Sequence, residues 1–391
     1  SVVYGFFALV VFAPLLQERG GALLAAGSLM ILVPVAIVAV VVLSVLSVLS
    51  RRAQQRRIEA EVDRLAPVAD VPPGTCAACH APLPQGARYC PACGEYVAVR
   101  EEVRRRGDWS IKRPDTPPSG WAFEFANEFY PDIDDTAMVL LALRLIPTDN
   151  PARRDEVFKR GMKWMMTFQC KDGGWAAFDK DCTNNILEKV PFADHNAMLD
   201  PECADITARI LELLGYENWS RDHSQIRDAI EYVKNEQEED GSWYGRWGVN
   251  YIYGTWQTLR GMRALKWDMN EDWLQRGKAW LESVQRPDGG WGERCNTYDD
   301  PIYKGQGPST ASQTAWAVMG LCAFDDPENP ALKRGIEYLC RTQNADGSWT
   351  EMETTGTGFP KVFYLKYDMY RNAWPLLALA TYKQICERAT A

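Results

Sequence analysis

The residues with the clearest chemical potential lie in Pro131-Asp132-Ile133-Asp134-Asp135-Thr136, where three carboxylates share four positions. Like charges this close cannot all ionise comfortably, so at least one proton should be held above its ordinary pKa. That arrangement keeps a carboxylic acid protonated near neutral pH and ready to donate. The plain alternative is a helix N-cap, because an apolar helical run, 137–143, follows at once and Asp suits free backbone N–H groups there. One Asp would be read that way. Three, preceded by the aromatic-rich stretch 121–130, favour an acid site.

Stepping outward, the chain has 391 residues and a net charge of −9, which offers nothing to a nucleic-acid partner. All 15 tryptophans lie at or after Trp109, whereas the longest charge-free apolar runs precede residue 51. Two differently built parts are therefore joined, and the opening Ser in place of Met suits a fragment or a fusion. Residues 21–50 carry no charge, enough for a membrane-crossing helix of ~20 residues. With residues 2–16 they predict a transmembrane helical hairpin over 1–50. Arg51, Arg52, Arg56 and Arg57 place its end, and all that follows, on the cytoplasmic side of the membrane.

A charged, Pro-rich linker (51–73) leads to Cys76-Ala-Ala-Cys79 and Cys90-Pro-Ala-Cys93. Paired CxxC knuckles suit four thiolates around one structural Zn²⁺, so residues 74–98 predict a zinc ribbon with no open position for catalysis. Cysteines 170, 182, 203, 295, 322, 340 and 386 are scattered among apolar helices and read as free core thiols.

From Gly107 onward the pattern repeats. Four helices end in Gln with Trp six residues later: Gln169/Trp175, Gln237/Trp243, Gln285/Trp291 and Gln343/Trp349. An Asp-Gly turn (Asp172, Asp240, Asp288, Asp346) separates each pair and stops the helix. The amide can bond a neighbouring helix end while the indole covers the turn, which is a structural task. Apolar stretches at 136–146, 205–214, 253–265, 311–323 and 372–385 alternate with these helices. Alternating apolar and charged helices, with no useful strand pattern, predict an all-α toroid: an α/α barrel over 107–391 with the apolar helices inside.

These residues resemble the squalene–hopene cyclase family over about 107–388. The resemblance rests on Asp-x-Asp-Asp at 132–135, the four Gln–Trp repeats, Gly241-Ser-Trp-Tyr-Gly-Arg-Trp-Gly-Val-Asn250 and Gly356-Thr-Gly-Phe-Pro360. It implies the terpenoid cyclase/prenyltransferase-like toroid and a protonation-initiated polycyclisation of squalene or a similar polyprene, an isomerisation needing no catalytic cofactor. It implies Asp134 as the proton donor, tuned by Asp132 and Asp135. It also implies cavity aromatics at Phe123, Phe178, Trp247, Phe359, Phe363, Tyr367 and Tyr370, with Tyr253 near the acid. Aromatic faces stabilise carbocations by ~2 kcal/mol each when desolvated. The sequence departs from the family at Arg209, where some members carry His, and at Phe178, where a family Tyr loses its hydroxyl. Arg209 can polarise the carboxyl cluster but cannot shuttle a proton.

The largest departure is a whole barrel. Family members pair two, with the cavity between them, and here the membrane hairpin and ribbon precede residue 107. The expected partners are therefore the membrane and a complementary first barrel or a second copy of the chain, without which the domain is expected to be inactive. Two competing readings follow. A protein-prenyltransferase-like barrel would need an Asp/Cys/His zinc set, and His195 and His223 sit in no such setting. A membrane-tethered zinc-ribbon scaffold carrying a relic cyclase domain is the non-enzymatic one.

Overall fold

A computed structural model of the chain describes residues 102–123, 127, 129–146, 148, 150–182 and 199–390. All belong to the larger of its two compact units, Pro73–Ala391. The hairpin of 1–50, the linker of 51–73 and the ribbon cysteines Cys76, Cys79, Cys90 and Cys93 lie outside the described residues. Among the described residues no helix is long and apolar enough to cross a membrane.

The elements alternate between two layers. The inner helices are α1 (Ile133–Leu145), α3 (Ala204–Tyr216), α5 (Tyr251–Ala264), α7 (Ala311–Cys322) and α9 (Tyr370–Thr390). The outer ones are α2 (Pro151–Met166), α4 (Ser224–Asn235), α6 (Asp272–Ser283) and α8 (Pro330–Thr342). In α7 every residue is buried, so it is covered on all sides. In α4 only Ile226, Ala229, Ile230, Tyr232 and Val233 are buried, a stripe at three- and four-residue spacing that faces the inner layer. Each inner helix packs on the next, and α1, α3, α5 and α7 each pack on the outer helix that follows. The row curves until the chain just before α9 returns to the loop before α1, where the Tyr367 and Phe123 rings lie 6.3 Å apart. The α3–α5 seam is especially close: a Cβ on Gly261 would sit 2.5 Å from the Ala208 carbonyl oxygen.

The Gln–Trp repeats tie the layers together. In the third, Gln285 Nε2 donates to Gly289 O inside the turn and to Ala331 O at the start of α8, both at 2.8 Å. Trp291 Nε1 donates back to Leu281 O of its own helix at 2.8 Å, and Trp291 N donates to Thr314 Oγ1 on α7 at 2.9 Å. One motif thus bonds its own outer helix, the next outer helix and the next inner helix. The first and second motifs repeat the pattern through Thr207 and Thr255. The fourth has no outer helix after it, and Asn372 takes the place of the threonine. Trp121 forms a half-motif before α1, its N–H bonded to Thr136 Oγ1 at 2.9 Å.

Two differences from the sequence reading stand out. Gly356–Phe359 and Phe363–Leu365 form a two-stranded antiparallel hairpin, β1–β2, with a bulge between Thr357 and Phe359. The strands are too short, and too rich in glycine, for a period-2 pattern to show. Cysteines 170, 182, 203, 295, 322, 340 and 386 are all free, but only Cys170, Cys203 and Cys322 are buried in the core; Cys182, Cys295 and Cys386 are half-buried, and Cys340 is exposed on outer helix α8.

Candidate active site

The three carboxylates separate into different environments. Asp132 is 3% exposed and is the N-cap of α1, its Oδ1 accepting from Asp135 N at 2.7 Å. The helix-cap reading therefore holds for this one residue. Its Oδ2 is buried with no hydrogen-bond partner. Burial, reinforced by the negative Asp135, holds its carboxyl well above the usual range. Asp134 lies on the first turn of α1 with its side chain 23% exposed. Burial raises its pKa to about 6 against the opposing pull of Arg209, with Asp135 and Asp205 adding to the rise.

Arg209 comes from α3, 75 residues away in sequence, and its side chain is 5% exposed. Its Nη1 donates to Asp134 Oδ1, and its Nη2 donates to the Tyr253 hydroxyl of α5 at 2.5 Å. With its amide oxygen turned toward the guanidinium, Gln257 also accepts from Arg209 Nε at 3.2 Å. A buried cation is thus satisfied by one carboxylate, one phenol and one amide. Asp134 Oδ2 takes no hydrogen bond from described residues and is the oxygen free to carry a proton. Asp205, one turn before Arg209 on α3, accepts from the backbone N–H groups of Arg246 and Trp247 at 2.8 and 3.0 Å. One face of one helix therefore holds both the acid's cation and the loop that presents Trp247.

The aromatic side chains form two groups. Tyr253 packs edge-on against Trp316 at 4.9 Å, and Trp316 leads through Tyr370 to Tyr367 and on to Phe123. Tyr370 is held well above its ordinary range by burial, then by Tyr253. Trp247 contacts Phe178 and Phe359, and Phe359 contacts Phe363 on the hairpin. Each aromatic expected at the site thus falls in one of these two groups. Phe123, Phe178 and Phe363 are exposed, at 61%, 42% and 44%, so both aromatic groups end in rings open to solvent. Sequence reasoning missed Trp256, Trp316 and Trp374, a set in which Trp256 contacts both of the others and Tyr253, and Trp374 contacts Tyr370. Their signal was available, since each lies in a stretch already read as an inner helix. Gln257 and Asp205 were missed too, and no local pattern marks them.

Among the described residues, Cys170, Asp181 and Glu202 bring ligand atoms within 4.8 Å of one another, the only such metal-capable group. Burial pushes the Cys170 thiol up, which disfavours the thiolate that a metal requires.

Paired helices in two layers, with aromatic side chains around a half-buried acid, define a terpene-cyclase-like helical domain. A crystal structure of a protein from Actinoplanes shares the fold, with a TM-score of 0.50 at 16% identity, covering 73% of this chain and 81% of that one. The chain belongs to the squalene-hopene cyclase C-terminal domain family, which matches residues 65–384. That match starts ahead of Gly107 and runs across the Cys76–Cys93 stretch. The squalene–hopene cyclase of Alicyclobacillus acidocaldarius is 44% identical over 295 residues, covering 75% of this chain and 47% of the relative. That of Bradyrhizobium diazoefficiens is 42% identical over 295 residues, covering 74% and 44%. The chain spans less than half the length of these curated relatives.

Proposed function

We propose that this chain carries the acid half of a protonation-initiated polyprene cyclase, acting on squalene or a similar chain at a membrane. The observation that carries the proposal is Asp134 raised to about 6 while in contact with Arg209. An alkene is a very weak base, so its protonation needs an acid that is both retained and strong. Burial supplies retention. Arg209 supplies strength, because the carboxylate left behind is born beside a guanidinium. In the initiating step Asp134 Oδ2–H transfers its proton to a terminal alkene carbon, leaving a tertiary cation on the chain and an Asp134–Arg209 ion pair. Rings then close as internal double bonds attack successive cations, which the aromatic faces stabilise. Asp135 and Asp205 place negative charge near Asp134 and so hold its proton in place, while Asp132, itself kept toward its neutral form by burial, caps the helix that carries it. Tyr253 and Gln257 fix the guanidinium.

The exposed Phe123, Phe178 and Phe363, together with the chain's half-length match, support a second element covering these rings. That element is a complementary first barrel or another copy of the chain, and it excludes the water that would quench a cation. The transmembrane hairpin (1–50), the linker (51–73) and the Zn²⁺ ribbon on Cys76, Cys79, Cys90 and Cys93 belong to the same reading, with the catalytic part (107–391) on the cytoplasmic face.

The test is the chain in neutral detergent with squalene, with and without a supplied first barrel from a relative. Cyclic product should form only in the presence of that barrel and be abolished by Asp134→Asn with helical content intact. Cyclisation by the Asn variant would remove Asp134 from its role. A relic scaffold would give no product in either arm.

A further inference from the structure

A cavity of about 970 Å³ lies between the C-terminal end of α1, the length of α2 and the turn after α3. It is a different place from the acid site: Asp134 and Arg144 are ten residues apart on one helix, about 15 Å along its axis. Six cations line it, Arg113, Arg144, Arg154, Lys159, Lys163 and Lys180, against two carboxylates, Asp155 and Glu217. The whole chain is acidic at −9, so this local excess of four positive charges does not reflect its average composition.

The two carboxylates are already taken. Arg144 pairs with Glu217, and Arg154 pairs with Asp155 at 2.9 Å. Arg113, Lys159, Lys163 and Lys180 have no carboxylate partner among the described residues. The Arg113 Nε is buried without an acceptor, and the Lys180 ammonium donates to the Gln169 carbonyl rather than to a carboxylate. Burial and then the neighbouring Arg113 draw the Lys180 ammonium below its ordinary range, outweighing the opposing pull of Asp181.

The same cavity has an apolar floor. Along α2 the side chains run in two neighbouring rows. Lys159 and Lys163 form one at i, i+4, while Phe158, Met162 and Met166 form the other. Trp219, from the turn after α3, adds a further aromatic ring to the lining. A free inorganic anion would use the first row and waste the second. A neutral lipid would do the reverse.

We propose that this cavity binds an amphiphilic phosphate, with a phosphoryl head among Arg113, Lys159, Lys163 and Lys180 and an aliphatic chain along Phe158, Met162 and Met166. Lysine and arginine donors suit phosphate oxygens, and flexible methionines suit an unbranched or methyl-branched chain. The volume matches that of typical ligand pockets, which hold a drug-sized molecule. Two sources share this chemistry: a soluble prenyl phosphate and the head of an anionic phospholipid.

The test is lysine acetylation footprinting of the full chain in neutral detergent, read by mass spectrometry, with the remaining lysines as internal controls. The probes are farnesyl phosphate, farnesol, inorganic pyrophosphate, and mixed micelles of phosphatidylglycerol or phosphatidylcholine. Slower acetylation of Lys159 and Lys163 is expected with farnesyl phosphate, with phosphatidylglycerol or with both, and the stronger of the two identifies the source. Equal protection by farnesol or phosphatidylcholine would overturn the anionic head. Equal protection by pyrophosphate would overturn the apolar row, and absence of protection by every probe would overturn the site. Equilibrium dialysis with the protecting probe should show affinity about tenfold weaker or more in Lys159→Gln/Lys163→Gln, since two charge-assisted contacts are lost. Unchanged affinity in that variant, with unchanged helical content, would also refute the proposal.

Discussion

The Asp134→Asn substitution should stabilise the folded chain at neutral pH, although it is designed to remove an acid. Asp134 has a folded pKa of about 6 against an ordinary value of 3.8. Between those values the folded state binds a proton that the unfolded state has released, so stability falls as pH rises through that window. The stabilising contribution of the protonated form is fully present below pH 3.8 and lost above about 6. At about 1.4 kcal/mol per pH unit, the interval gives a cost of about 3 kcal/mol at neutral pH. Asn, uncharged at every pH, does not incur it, and its amide oxygen can still accept from Arg209. The assay is denaturant unfolding of both proteins, followed by circular dichroism in neutral detergent from pH 4 to pH 8. The variant should gain on the parent as pH rises from 4 to 7, and the two should converge at the acid end. A difference independent of pH, or a variant less stable at pH 7, would refute the argument that burial outweighs Arg209 at this carboxyl.

Other consequences follow from the braces between layers. Thr314→Val removes the hydroxyl that accepts from Trp291 N and leaves a buried N–H unpaired, so it should cost about 1–3 kcal/mol in the same unfolding assay. Gly241 and Gly347 both have positive φ, 94° and 86°, but a Cβ on Gly241 would sit 2.7 Å from Arg276 O while one on Gly347 meets nothing nearer than 3.9 Å. Gly347→Ala should therefore show only the backbone strain, about 1 kcal/mol, and Gly241→Ala clearly more. Equal losses at the two sites would mean that the close approach at Gly241 relaxes freely. Metal analysis of the chain under reducing conditions should find one zinc, lost in Cys76→Ser, if the paired CxxC knuckles hold a ribbon.

Amino-acid order alone determined the features that depend on neighbours within a few residues. The Asp-Gly turns, the Gln–Trp spacing and the outer-helix stripes are of this kind, because turn geometry and helical period act over one or two turns. So is the carboxylate crowding at 132–135. The split of those three residues into a cap and a cation-bound acid was not legible, because it depends on Arg209, 75 residues further on. Resemblance pointed to Arg209; spacing did not. Tyr253, Gln257 and Asp205 depend in the same way on the registry of α3 against α5, which close contact at Gly261 sets. The threonines that receive the tryptophan N–H groups looked like ordinary polar residues in apolar helices, and only the stacking of the layers gives Thr207, Thr255 and Thr314 one shared role. The cationic cavity beside α2 likewise exists only once α1, α2 and the turn after α3 are assembled, because charges distant in sequence act together only when folding removes the water between them.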